Sequence, residues 1–259
     1  MPALFERFFA ALETMSLGAA SAWALLENII IFGVVLLVGR LLVLRYQKQR
    51  VTEPPDPLTW QEMALAASCV LLNTLVTVVG IWLWQQGVID VQRTTPALRV
   101  LADTLVLFFA MDLLMYIFHR VAHHPLLYPL IHHTHHLYEN PRPLTLFALN
   151  PFEVLGFGGL WLLLLTVYSA NWLAIIIYLT LNVVFGLVGH LGVEPMPLRY
   201  VKIPLVHYLS TSTFHAEHHQ DADHNFGFYT LIWDRLFGTL SPDYMRDFTQ
   251  AHNYEPERS

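Results

Sequence analysis

One five-residue pattern occurs twice in this chain, first as His132, His135 and His136 and again as His215, His218 and His219. Each copy reads His-x-x-His-His. On a helix, positions i, i+3 and i+4 share one face, so each triplet is expected to point three imidazoles at one spot. A fold that holds both triplets has to bring them to the same side of whatever separates them. A further pair, His119 and His123, stands at i, i+4 just upstream. Neutral imidazole suits iron, zinc and copper, and thiolate is nearly absent, with Cys69 the single cysteine. This many convergent imidazoles exceeds the needs of one ion and points to a two-metal centre.

What separates the triplets is a set of apolar runs. The chain is 55% hydrophobic and only 13% charged, with a mean hydropathy of +0.45. That balance excludes an ordinary soluble domain and places the chain among polytopic membrane proteins. Its net charge of -6 and lack of a basic run give no footprint for nucleic acid. A spanning helix needs roughly twenty mostly apolar residues. Residues 23–44, 63–84 and 98–118 qualify, and 154–168 with 172–189 form a shorter pair, either two tilted crossings or a re-entrant hairpin. The expected fold is all-α: a helical bundle with about four or five membrane segments and a cytoplasmic, His-rich helical cap.

Arg45, Lys48 and Arg50 follow the first run, so the loop from Tyr46 to Trp60 is expected in the cytoplasm by the positive-inside rule. Alternating the following runs returns His119–His136 and the C-terminal segment to that same side. Residues 1–95 then form an N-terminal membrane region with two spans, 96–241 a catalytic domain, and 242–259 a polar tail on the surface.

Around the triplets, His190 ends the last apolar run and joins the expected ligands. Asp112 lies seven residues before His119 on nearly the same face, and an intramembrane carboxylate needs a partner. It is expected to accept a hydrogen bond from a ligand imidazole, or else to make an interhelical polar contact. His207, His224 and Asn225 are further candidates for supporting contacts. His124, His133 and His252 are not expected in the centre. Tyr116, Phe118, Tyr128, Phe147 and Trp172 are read as pocket or interfacial aromatics, with ordinary packing the simpler reading for any one of them.

The order of these groups resembles the membrane fatty acid hydroxylase/sterol desaturase superfamily. Its three boxes correspond to His119-RVA-His123, to His132-HT-His135-His136, and to His215-AE-His218-His219. The closing stretch is more specific, with Asn225-Phe226-Gly227 and then Trp233-Asp234-Arg235-Leu236-Phe237-Gly238-Thr239. The resemblance runs from about Asp112 to Thr239. It implies two iron ions held by His119, His123, His132, His135, His136, His190, His215, His218 and His219, with dioxygen as co-substrate. It implies hydroxylation or desaturation of a lipid. Some members carry an extra ligand histidine between the second and third boxes, a place that His190 suits and for which His207 is the other candidate.

The residues agree with that chemistry, since an unpolarised lipid C–H bond yields to a metal oxidant rather than to acid–base groups. No dinucleotide fingerprint, haem motif or Cys-ligated cluster pattern is present. Electrons are therefore expected from an external donor, either a ferredoxin, a cytochrome b5-like protein or a reductase, with a pterin as another source. The competing class is a membrane metal-binding or transport protein. It is disfavoured because the ionisable groups gather at one face instead of along several spans.

Overall fold

The computed structural model describes residues 3–252, and its regular structure is almost entirely helical. An N-terminal helix, α1 (Ala3–Thr14), precedes α2 (Leu17–Arg45), α3 (Trp60–Gln85) and α4 (Ala97–Ala122). Two single turns follow, α5 (Tyr128–Ile131) and α6 (His133–His136), then α7 (Pro151–Val167) and α8 (Trp172–Gly189). Three short helices close the described chain: α9 (Ser212–Gln220), α10 (Ile232–Phe237) and α11 (Tyr244–Ala251).

Four of these helices, α2, α3, α4 and α8, are long and apolar enough to cross a bilayer, and the 17-residue α7 is a shorter apolar helix beside them. The protein is a membrane protein on this pattern. The ends are set by local chemistry. The side chains of Ser16, Thr59, Asn150 and Asn171 accept hydrogen bonds from the first free amides of α2, α3, α7 and α8. Helix α2 starts and ends further out than its apolar run alone suggests, because capping rather than hydropathy sets the boundary. Its large side chains face outward without protein cover, Trp23 and Leu37 being 63% and 60% exposed, as expected of a lipid-facing surface.

Two long-range pairings define the ends of the bundle. Arg50, after α2, forms an antiparallel bridge with Val193, after α8. At the opposite end a two-residue parallel pair joins β1 (Val91–Gln92) to β2 (Ala170–Asn171). The α7–α8 turn is therefore level with the α3–α4 connection, so the pair runs the depth of the bundle. Asp103 at that end accepts from the Asn171 amide at 2.8 Å and from the Tyr168 hydroxyl at 2.6 Å. Helix α1 docks there too: the Gln85 amide donates to the Leu12 and Met15 carbonyls.

Close packing holds the middle. Gly158 of α7 has no room for a Cβ, which would lie 2.5 Å from Val76 of α3. A core of Leu107, Phe108, Met111, Leu164 and Tyr178 binds α4, α7 and α8. A second core, with Val35, Cys69, Phe147 and Leu187, joins α2, α3 and α8.

The surface tail expected over 242–259 needs correction where it is described. Helix α11 is amphipathic, and Tyr244, Phe248 and Ala251 recur at helical spacing and are buried. Tyr244 and Phe248 pack with Phe214 of α9. His252 ends the helix and bonds the Met196 carbonyl at 2.7 Å. Residues 253–259 of that expected tail lie outside the described residues.

Candidate metal centre

Four stretches of chain deliver nine imidazoles to the Arg50–Val193 end of the bundle. His119 and His123 sit on the last turn of α4 and just beyond it. His132 stands at the break between α5 and α6, with φ of -122°, and His135 and His136 follow on α6. His190 caps α8, and α9 carries His215, His218 and His219. Helix α9 comes this close because residue 189 is glycine: a Cβ there would press on the His215 ring at 3.1–3.3 Å.

The nine rings form two groups rather than one. His119, His123, His132, His136 and His218 make one cluster, and His135, His190, His215 and His219 make the other. Within each, one nitrogen per ring lies within 4.8 Å of all the others. All nine histidines expected as ligands fall in these two groups. The expectation that each triplet points at one spot is corrected, because both triplets divide in the same way. The i, i+4 members stay together, and the i+3 member crosses to the other cluster. On α9 the cause is angular: i+4 lies about 40° from i, whereas i+3 lies about 60° to the other side. Each triplet thus contributes to both clusters.

Hydrogen bonds from the ring edges orient the rings. His119 Nδ1 bonds the Phe226 carbonyl at 2.8 Å, His218 Nδ1 the His224 carbonyl at 2.6 Å, and His190 Nδ1 the Gly186 carbonyl at 2.7 Å. A carbonyl only accepts, so each of these Nδ1 atoms carries the ring proton and leaves Nε2 as a bare lone pair. Those Nε2 atoms point inward. His119 Nε2 is 2.8 Å from His132 Nε2, and His132 Nδ1 is 2.8 Å from the Glu153 carboxylate. His218 Nε2 meets His136 Nε2 at 3.1 Å, and His190 Nε2 meets both His135 and His215 Nε2 at 3.2 Å. Where both protons sit at Nδ1, two lone pairs face each other and repel unless a cation lies between them. His123 Nε2 is buried with no hydrogen-bond partner. This donor set fits metal ions in both clusters.

Burial also keeps the rings neutral. Loss of solvent, then repulsion from neighbouring imidazoles, holds His132, His135, His215, His218 and His219 well below the usual histidine range. The same burial pushes His136 and His190 down to about 4 and His123 to about 3. Ligating imidazole has to be neutral.

The supporting residues differ from expectation. Asp112 touches no imidazole; its carboxylate accepts from the Tyr229 and Thr230 amides, the Thr230 hydroxyl and the Trp233 indole. Seven residues on a helix rise about 10 Å, too far for Asp112 to reach the His119 ring. It makes the interhelical polar contact instead, tying α4 to α10. Asn225, fully buried with φ of 60°, bonds the Phe214 carbonyl and Glu217 and accepts from the Ser241 amide. It sets the turn that aims the Phe226 carbonyl at His119. His224 serves through its backbone carbonyl while its ring pairs with Asp221. His207 lies outside both clusters, bonded to the Ile203 carbonyl. His124 and His133 are exposed.

Glu153 was not singled out from the sequence. It is the first-turn acid of α7, 2% exposed, and nothing in its spacing to the histidines marks it. The signal was a lone carboxylate opening an apolar run. Of the five aromatics, Tyr128 packs against His123 and His133, Phe118 against Phe157, and Phe147 against Phe32. Trp172 lies at the far end, donating to the Arg93 carbonyl. Tyr116 lines a cavity of about 930 Å³ beside His123.

Comparison with known proteins supplies independent findings. A family model described as fatty acid hydroxylase matches residues 104–239, more than half of the chain. Lathosterol oxidase of Mus musculus is 28% identical over 158 residues, covering 61% of this chain and 51% of its own. The Homo sapiens lathosterol oxidase is 31% identical over 135 residues, 52% of this chain and 43% of its own. A very-long-chain aldehyde decarbonylase of Oryza sativa subsp. japonica is 30% identical over 135 residues, 49% of this chain and 21% of its own. The chain spans about half the length of the lathosterol oxidases it matches. No solved structure matches.

Proposed function

The chain belongs to the fatty acid hydroxylase family, and from that premise we propose that it is an oxygen-dependent, non-haem di-iron membrane oxidoreductase that hydroxylates or desaturates a lipid C–H bond. One iron is held by His119, His123, His132, His136 and His218, the other by His135, His190, His215 and His219. The observation that carries this reading is the division of nine inward-facing imidazoles into two adjacent clusters. Iron ligated by imidazole with positions left open supplies the activation of dioxygen needed to attack an unactivated C–H bond.

The protein's own contribution is orientation and dryness. The Phe226, His224 and Gly186 carbonyls hold protons on the outer ring edges and turn lone pairs inward. Glu153 places a carboxylate oxygen 2.8 Å from His132 Nδ1, against the outer edge of that ring. The burial of eight of the nine rings keeps water from the centre. The relatives' names include sterol oxidases and a long-chain aldehyde decarbonylase, which supports a lipid substrate drawn from the bilayer.

The centre faces the cytoplasm in this reading. Arg45, Lys48, Arg50, Arg142, Arg199, Lys202, Arg235 and Arg246 lie at or beyond the histidine end, against Arg7, Arg93 and Arg99 at the other. Helices α7 and α8 then complete two crossings. Residues 96–241 form the catalytic unit, and an external redox protein supplies electrons.

The test has two arms. Purified protein is expected to carry about two irons per chain, a content set by the imidazole clusters, and His135→Ala to lose both iron and activity. Comparative lipidomics of deletion and overexpression strains should reveal a species heavier by one oxygen or lighter by two hydrogens. Iron-free protein, full activity in the variant and an unchanged lipid profile would overturn the reading in favour of metal binding or transport.

A further inference from the structure

Of the nine clustered imidazoles only His123 is not fully buried, and it lines the cavity of about 930 Å³ between the end of α4 and α10. The cavity's flank is lipid-facing: Ile117 and Val121 on α4 are 48% and 49% exposed, Leu126 77% and Phe237 51%. Its floor is His123 and Phe226. A groove built this way is continuous with the outer surface of a spanning helix at one side and with the five-histidine cluster at the other.

Polar groups interrupt the apolar wall: His124 and Asp223 line the cavity, and a hydrogen-bonded ledge stands at Arg120. Arg120 Nη1 donates to the Tyr116 hydroxyl at 3.2 Å, and the Thr239 hydroxyl, 3.0 Å from Tyr116, donates to Asp234 at 2.7 Å. Because Thr239 spends its proton on the carboxylate, it accepts from Tyr116, which in turn accepts from Arg120. The chain of donors runs one way and ends on the guanidinium. Among the described residues no carboxylate pairs with Arg120. Its remaining N–H groups, on an exposed side chain, are open to an oxygen acceptor at the groove's rim.

We propose that this groove takes the substrate lipid sideways from the bilayer. The hydrocarbon lies along Ile117, Val121, Leu126 and Phe237, the oxygen-bearing head rests on Arg120, and the reacting carbon meets the five-histidine cluster at His123. The assignment rests on the oxidase reading above and adds to it which cluster receives substrate, from which side, and what reads the head group. The four-histidine cluster, with all its rings buried, takes no part in lipid binding.

The test is photocrosslinking of the iron-loaded full chain in phosphatidylcholine vesicles, with a diazirine-bearing sterol and a diazirine-bearing fatty acid used separately. At least one probe is expected to label residues 117–127 or Phe237. Ile117→Trp and Leu126→Trp should abolish that labelling, and Arg120→Gln should weaken it about tenfold, the loss of one hydrogen bond to a charged donor. Leu105→Trp, on the lipid-facing surface of α4 outside the groove, should leave it unchanged. Iron content is measured in every variant, so that a misfolded protein is recognised. Labelling confined to other segments, or equal loss in Leu105→Trp and Ile117→Trp, overturns the groove. Wild-type protein lacking both iron and lipid product overturns the oxidase reading instead, and groove labelling in that protein would still establish a lipid site.

Discussion

The two histidine clusters are made from the same residue type by the same sequence repeat, yet their surroundings differ. The four-histidine cluster is closed, with every ring buried, and its His190 ring is anchored at its outer edge by the Gly186 carbonyl of the same helix. The five-histidine cluster gathers rings from the end of α4, the α5–α6 break, α6 and α9. It uses the Phe226 and His224 carbonyls from the loop after α9 and the Glu153 carboxylate from α7. It also opens through His123. Matching ligands therefore do not make matching sites. The cluster built from more distant parts of the chain is the one that faces outward.

The sharpest way to break this comparison is to remove His218 and His215 in turn. They are three residues apart on one helix but belong to different clusters. Each alanine variant should lose lipid oxidation and retain about one iron per chain, and the iron left behind should give different spectra in the two. Identical residual spectra would mean that the clusters do not act as separate positions.

Glu153→Gln comes next, since Glu153 touches the five-histidine cluster alone. A tenfold to hundredfold loss of iron affinity, about what removal of such a partner costs, should appear at one of the two positions. Equal weakening of both in a metal titration would contradict the assignment.

Asp112→Asn should instead cost stability, about 2 kcal/mol for the loss of charged hydrogen bonds to Tyr229, Thr230 and Trp233. Iron content should stay at the wild-type level when thermal unfolding and metal are measured on the same sample.

Acid supplies a graded version of the test. His136 and His190 are pushed down to about 4 by burial, below the usual value of about 6.5. The folded, metal-free protein thus holds fewer protons than the unfolded chain in that window. Its stability should be flat above the unfolded value and fall as pH drops toward about 4. A midpoint of unfolding that does not change over this range in chelator-treated protein would argue against buried neutral rings. The smallest effect is expected for His133→Ala, an exposed ring outside both clusters. Its stability should shift by less than about 0.5 kcal/mol, with iron and activity retained.

Several features are legible without the fold. Spans can be read because a bilayer demands roughly twenty apolar residues in a row, and four of the five expected runs became helices long enough to cross. The nine clustered histidines are all legible in the sequence, because most of them recur at helical spacings. The misreadings share a cause. Asp112 looked like a partner of His119 because both lie on one face of α4, but the groups that reach it come from residues 229–233. Glu153 looked like nothing because its partner, His132, belongs to another element. The tail looked polar because three buried side chains on α11 are a weak average but a strong stripe.

The sequence by itself determined which residues gather and at which end of the bundle, since periodicity and hydropathy are properties of neighbours along the chain. Only the tertiary structure decided how the gathered rings are shared out. The division of each His-x-x-His-His between two clusters, the choice of Glu153 over Asp112, and the opening at His123 depend on the angles at which α4, α7, α8 and α9 meet. Those angles are fixed by packing between residues far apart in the chain, and no local spacing encodes them.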